Sequence, residues 1–149
     1  MSYVPKVLIV DDEARMCESL SILLSRQGYE TFEGHSGKEA MAYLEQDTFD
    51  IVLLDIVMPD MSGHQIMDYI CNQEQDTLVI FMTGHASVDS AVESLKRGAY
   101  DYLTKPFDFE QLLRRVNNAV DQIRLRKEHA LVSGKLELTQ KRYHCERCC

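Results

Sequence analysis

Val7-Leu8-Ile9-Val10-Asp11-Asp12 is an apolar run, rich in branched side chains, that stops on two adjacent carboxylates. The same grammar recurs three times. Ile51-Val52-Leu53-Leu54 runs into Asp55, Leu78-Val79-Ile80-Phe81-Met82 into Thr83, and Tyr102-Leu103-Thr104 into Lys105. Apolar runs this short, separated by helical patterns, read as parallel strands buried on both faces. Open parallel sheets bind ligands outside the carboxyl ends of their strands. Three carboxylates, a hydroxyl and an ammonium therefore converge on one crevice.

Between these runs the chain alternates strand and helix five times. The pattern predicts strands near 6–10, 30–33, 51–55, 78–82 and 101–103, and helices near 13–27, 37–46, 63–73, 87–97 and from 108 onward. Gly28 and Gly98 suit helix ends, while Ser36 and Ser87 suit N-caps. Glu30-Thr31-Phe32-Glu33 alternates polar and apolar, as an edge strand with one wet face does. Right-handed crossovers then give an α/β doubly wound, five-stranded parallel sheet in the order 2-1-3-4-5. Phe109, Leu112, Val116, Ala119, Val120 and Ile123 mark one buried face of the last helix. The stripe thins at Arg124-Leu125-Arg126-Lys127-Glu128, so residues 1–123 read as the folded domain and 124–149 as a helical extension with a frayed tail.

Composition narrows the function classes. The net charge of −8 divides unevenly: residues 1–123 carry 9 Lys/Arg against 21 Asp/Glu, and 124–149 carry 7 against 3. A body at −12 is too acidic for a nucleic-acid surface, and a tail at +4 has too few charges to argue for one. No apolar stretch has the length of a membrane span, and the N-terminus lacks the layout of a signal peptide. The expectation is a soluble cytoplasmic protein. Five cysteines give no support for a disulfide framework; Cys17 and Cys71 fall in helical patterns and read as reduced thiols. His144-Cys145-Glu146-Arg147-Cys148-Cys149 holds a Cys-x-x-Cys step but lacks the supporting fold of a zinc site.

The converging groups suggest a chemistry. Two carboxylates about 5 Å apart repel by roughly 3 kcal/mol at an effective dielectric of 20. Proton uptake or a hard divalent cation relieves this, and carboxylates with a backbone carbonyl and waters suit Mg²⁺. Asp55 is the best nucleophile candidate, since a carboxylate can attack phosphorus to form an aspartyl phosphate. Lys105 supplies a point charge for a phosphoryl group and Thr83 a rotatable donor.

On these residues the chain resembles a response-regulator receiver domain across about residues 5–123. The resemblance is carried by Val10-Asp11-Asp12-Glu13, by Asp55-Ile56-Val57-Met58-Pro59-Asp60-Met61-Ser62-Gly63, by Met82-Thr83-Gly84-His85, and by Gly98 through Phe107 with its Lys105-Pro106 step. It implies a flavodoxin-like fold with Asp55 as phosphoacceptor and a sensor histidine kinase as donor. It implies Mg²⁺ held by Asp12, Asp55 and the Val57 carbonyl, with Asp11 acting largely through water. Lys105 resembles the lysine that pairs with the carboxylate and then the phosphate, Thr83 and Tyr102 resemble the switch pair, and Lys105-Pro106 looks like the family's cis peptide.

Within the family the chain is most similar to receivers of nitrogen-regulatory (NtrC-like) transcription activators. It has no Gly-rich phosphate loop and no room for an ATPase or DNA-binding module, so a stand-alone receiver or one with a separate effector is expected. The implied output is a changed surface around the fourth helix and fifth strand, including Ala91, Leu95 and Tyr102, that controls an effector partner or homodimerisation. His85 is either a residue at the pocket mouth or a solvated loop residue; His35 and His64 carry no partner signal. The rival is a Mg²⁺-dependent aspartyl-phosphate phosphohydrolase. That class needs a second acid just after the nucleophile and usually a cap, whereas here the residue two after Asp55 is Val57 and no insertion could form a cap.

Overall fold

The computed structural model describes residues 3–73, 76–84 and 88–132, with backbone only for 88–91 and 128–132. Elements alternate throughout: β1 (Lys6–Val10), α1 (Ala14–Arg26), β2 (Glu30–Gly34), α2 (Gly37–Gln46), β3 (Ile51–Asp55), α3 (Gly63–Cys71), β4 (Leu78–Thr83), α4 (Val88–Lys96), β5 (Asp101–Thr104) and α5 (Phe109–Val132). The five strands are parallel in the order β2-β1-β3-β4-β5. This is the expected doubly wound sheet, with its switch point between β1 and β3.

Side-chain alternation along the strands divides the core into two layers. Val7, Ile9, Ile51, Leu53, Ile80 and Met82 pack on the face covered by α1 and α5, against Cys17, Leu20, Leu24, Leu112, Val116 and Ile123. Leu8, Val10, Val52, Leu54, Val79 and Phe81 pack on the opposite face, against Ala40 and Leu44 of α2 and Ile66, Met67 and Ile70 of α3. Continuous apolar runs were required because the three central strands are covered on both sides. β2 lies at the edge and is buried only at Gly34, which explains its polar alternation.

Local signals place the element ends. Gly28 and Gly98 adopt φ of +91° and +104°, a left-handed conformation that suits the residue closing a helix. Ser36 caps α2 by accepting from the Glu39 N–H at 3.1 Å. Ser62 and Gln65 form a reciprocal capping box at the start of α3. The proposed cap Ser87 lies outside the described residues. Several ends differ from expectation by one or two residues; among them, α3 stops at Cys71, where Asn72 caps it, and β4 continues to Thr83, which pairs in register with Thr104. The last helix continues nine residues past Ile123 to Val132. Among the described residues no helix is long and apolar enough to cross a membrane. Cys17 is a free buried thiol, but Cys71 is disulfide-bonded, so the expectation of a reduced thiol fails there.

Candidate functional site

The sheet delivers its polar groups to one place. Val10 and Leu54 are register partners, and Asp11 and Asp55 each follow directly, at the carboxyl ends of adjacent strands. Carboxylate oxygens of Asp11, Asp12 and Asp55 all lie within 4.8 Å of one another. Asp11 is fully buried and Asp55 nearly so at 6% exposure, while Asp12 is exposed. The cluster thus has an open side at Asp12 and a closed side at Asp11.

Lys105 reaches in from the far end of β5. Its Nζ donates to Asp11 Oδ2 at 2.5 Å and to Asp55 Oδ2 at 3.3 Å, bridging both buried acids. The Lys105 N–H donates to the Thr83 carbonyl at 2.7 Å, and the Lys105-Pro106 peptide is cis, as the family resemblance implies. Asp55 Oδ1 accepts from the Val57 N–H at 3.2 Å, and Asp11 Oδ1 accepts from the Glu13 N–H at 2.9 Å. All four oxygens on the two buried acids are therefore engaged in ways that fix their orientation.

Burial and charge act against each other here. Burial raises the Asp55 pKa above the ordinary aspartate value; the Lys105 charge lowers it, Asp11 raises it again, and the balance is a raised value. For Lys105, burial works to lower the pKa, but the bond to Asp11 and the charges of Asp11 and Asp55 outweigh it and leave it raised. One ammonium against three acids leaves net negative charge, and hard oxygen donors in this arrangement fit a small divalent cation.

The remaining predicted residues surround this centre. Thr83 is buried at the end of β4, one strand from Asp55, and the Asp55 and Met82 backbones are register partners. Val57 is exposed in the loop after β3. Tyr102 is half-buried against the layer that holds Phe81, and its hydroxyl is buried with no hydrogen-bond partner among the described residues. Leu95 is exposed on α4, while the side chain of Ala91, His85 and the terminal His/Cys cluster lie outside what is described.

Several contacts had no local signal in the sequence. Asp60 accepts from the Gly37 and Lys38 N–H groups at 3.0 and 2.9 Å, tying the loop after β3 to the start of α2. His64 stacks edge-on to Phe81 at 5.3 Å and meets the buried Ser94 hydroxyl at 3.4 Å, so this histidine does have partners. His35 Nε2 lies 3.2 Å from Glu33 Oε1, and both stand near the Cys17 sulfur. Each pair joins residues from different elements or from a strand end and a loop, a proximity that only the folded sheet creates.

Known proteins resemble this chain in sequence and in fold. The response regulator receiver domain family matches residues 7–117. The chain is 38% identical over 128 residues to regulatory protein AtoC of Escherichia coli, covering 86% of this chain and 28% of that protein. The chain thus spans little more than a quarter of the length of that curated relative. A CheY-like receiver domain structure from Methanospirillum hungatei superposes with a TM-score of 0.76 at 31% identity, covering 80% of this chain and 96% of that one. A response regulator structure from Burkholderia pseudomallei, which contains a phosphorylated aspartic acid and a calcium ion, gives a TM-score of 0.71 at 28% identity and covers 87% and 75% of the two chains. With family, relatives and fold in agreement, this chain belongs to the receiver domains of two-component response regulators, and its relatives include NtrC-like transcriptional regulators.

Proposed function

We propose that Asp55 is the residue phosphorylated in this receiver, with a sensor histidine kinase as donor. The observation that carries this reading is the Lys105 bridge: one ammonium holds two buried carboxylates beside an exposed third. Asp55 Oδ2 is the oxygen poised to attack. In the transfer the nitrogen–phosphorus bond of phosphohistidine breaks as the Asp55 oxygen–phosphorus bond forms, and Lys105 shifts its charge from the carboxylate to the phosphoryl oxygens. The Val57 N–H fixes the orientation of the other Asp55 oxygen. The carboxylates of Asp11, Asp12 and Asp55, with the Val57 carbonyl, form the binding set for Mg²⁺, Asp11 through water. Mg²⁺ in this set would neutralise charge developing on the phosphoryl oxygens.

The same proposal covers the output. Thr83 turns its hydroxyl to the phosphoryl group, and the Tyr102 ring packs deeper behind it; with no hydrogen-bond partner among the described residues, the Tyr102 hydroxyl has a present position that can be improved. The change biases a two-state surface on α4 and β5 that binds an effector or a second copy of the chain. This is a switch acting in the cytoplasm rather than a turnover enzyme. A phosphohydrolase is disfavoured because Val57, not an acid, stands two residues after Asp55.

Incubation with a small acyl phosphate and Mg²⁺ followed by phosphate-affinity electrophoresis tests the reading. A single retarded species, absent in Asp55→Asn and not formed without Mg²⁺, supports it. Steady release of phosphate from an added phosphomonoester, with no retarded species, would instead favour the hydrolase.

A further inference from the structure

A second group of ligand-type side chains is linked to the Asp11 backbone through the Cys17 thiol. Cys17 Sγ, a Glu33 carboxylate oxygen and a His35 ring nitrogen lie within 4.8 Å of one another. Cys17 is fully buried in the first turns of α1, Glu33 is near the end of edge strand β2, and His35 begins the loop after it. The side chains of His35 and Glu33 are 42% and 32% exposed, so the group runs from a buried sulfur to an open mouth. Two further bonds position it: His35 N–H to Glu39 Oε1 at 3.4 Å, and the Cys17 thiol to the Asp11 carbonyl at 3.3 Å.

We propose that Cys17, Glu33 and His35 form a second metal site, which takes Zn²⁺ with one coordination position left to solvent. The donor chemistry carries the choice. One sulfur, one nitrogen and one carboxylate oxygen suit a borderline-soft tetrahedral cation, whereas Mg²⁺ takes oxygen ligands. The two sites therefore sort their metals by ligand type although they share a backbone link through Asp11. Binding is balanced in charge: the thiol loses its proton to solvent, and thiolate plus carboxylate neutralise the dication. Burial, with the Asp11 and Glu33 charges, pushes the Cys17 thiol up to about 12, so the sulfur keeps its proton until a cation displaces it. Coordination also ends the thiol's donation to the Asp11 carbonyl. A three-ligand site with an exposed imidazole suits exchangeable metal rather than a closed structural centre.

The test uses the full chain under reducing conditions, with Cys145→Ser, Cys148→Ser and Cys149→Ser removing the terminal thiols, and excess Mg²⁺ occupying the acidic cluster. Co²⁺ is the probe, because only a coordinating thiolate gives sulfur-to-cobalt charge-transfer absorption. One equivalent of Co²⁺ should develop this band, and Zn²⁺ should chase it. Cys17→Ser should abolish the band. His35→Ala and Glu33→Gln, at partly exposed positions where folding is readily confirmed by circular dichroism, should each weaken the affinity at least tenfold. No band, a band surviving Cys17→Ser, or equal affinity in folded His35→Ala and Glu33→Gln would overturn the assignment.

Discussion

Asp55 is held in a place that disfavours its charge, and this has a measurable consequence. Its pKa in the folded protein lies above the ordinary value, raised first by burial. The native state therefore binds that proton more tightly than the unfolded chain. Stability linked to this group is greatest below the ordinary aspartate range, about 4, and falls as pH rises through the raised value. Asp55→Asn removes the penalty and should stabilise the metal-free protein at neutral pH by about 1 kcal/mol, a rise in Tm of about 3 °C. The gap between variant and wild type should widen from pH 4 upward; a gap independent of pH in urea titrations would contradict this. Lys105 has the opposite sign. Its raised pKa means that its contribution is present at neutral pH and lost only as pH climbs past the ordinary lysine range through the raised value. Lys105→Ala leaves Asp11 and Asp55 buried without their cation and should cost about 3 kcal/mol. Millimolar Mg²⁺ should raise the Tm of the wild type and raise that of Lys105→Ala further, as followed by calorimetry.

At the scale of elements, the loop from β3 into α3 decides how rigidly Asp55 is presented. Gly63 begins α3 directly against this strand end: a Cβ there would sit 2.4 Å from the Asp55 carbonyl oxygen and 2.9 Å from Ile56 Cα. Both are backbone atoms with little room to yield. Gly63→Ala should therefore destabilise by about 2–3 kcal/mol and slow Asp55 phosphorylation, read by chemical denaturation and by phosphate incorporation. The elements themselves were legible because their signals are local. Apolar runs give strands covered on both faces, Gly28 and Gly98 permit the left-handed closure of helices, and Ser36 carries its own capping oxygen. The Asp60 link to α2, the His64 contact with Ser94 and the Cys17–Glu33–His35 group were not legible. They depend on which side of a crossover faces which loop, and no spacing along the chain encodes that. Asp11 shows the same limit: strand-end logic brings it to the crevice, but only the folded packing shows it wholly buried under Lys105 while Asp12 faces out.

For the whole molecule, five alternating units and right-handed crossovers call for a doubly wound sheet, and its order 2-1-3-4-5 makes Asp11 and Asp55 neighbours. The proposed output surface lies on α4 and β5, where Val92 and Leu95 are exposed on α4 and beside which α5 runs on to Val132. Phosphorylation should promote dimerisation through this face, seen as a doubling of mass in light scattering after acyl-phosphate treatment; an unchanged monomer would remove that part of the account. The central claim is that the sheet builds one reactive carboxylate at residue 55. Borohydride reduction of the acyl-phosphate-treated protein, followed by peptide mass spectrometry, tests it most directly. Reductive modification at Asp55 alone, dependent on Mg²⁺, is expected; modification at Asp11 or Asp12, or none at any of the three, would overturn the claim.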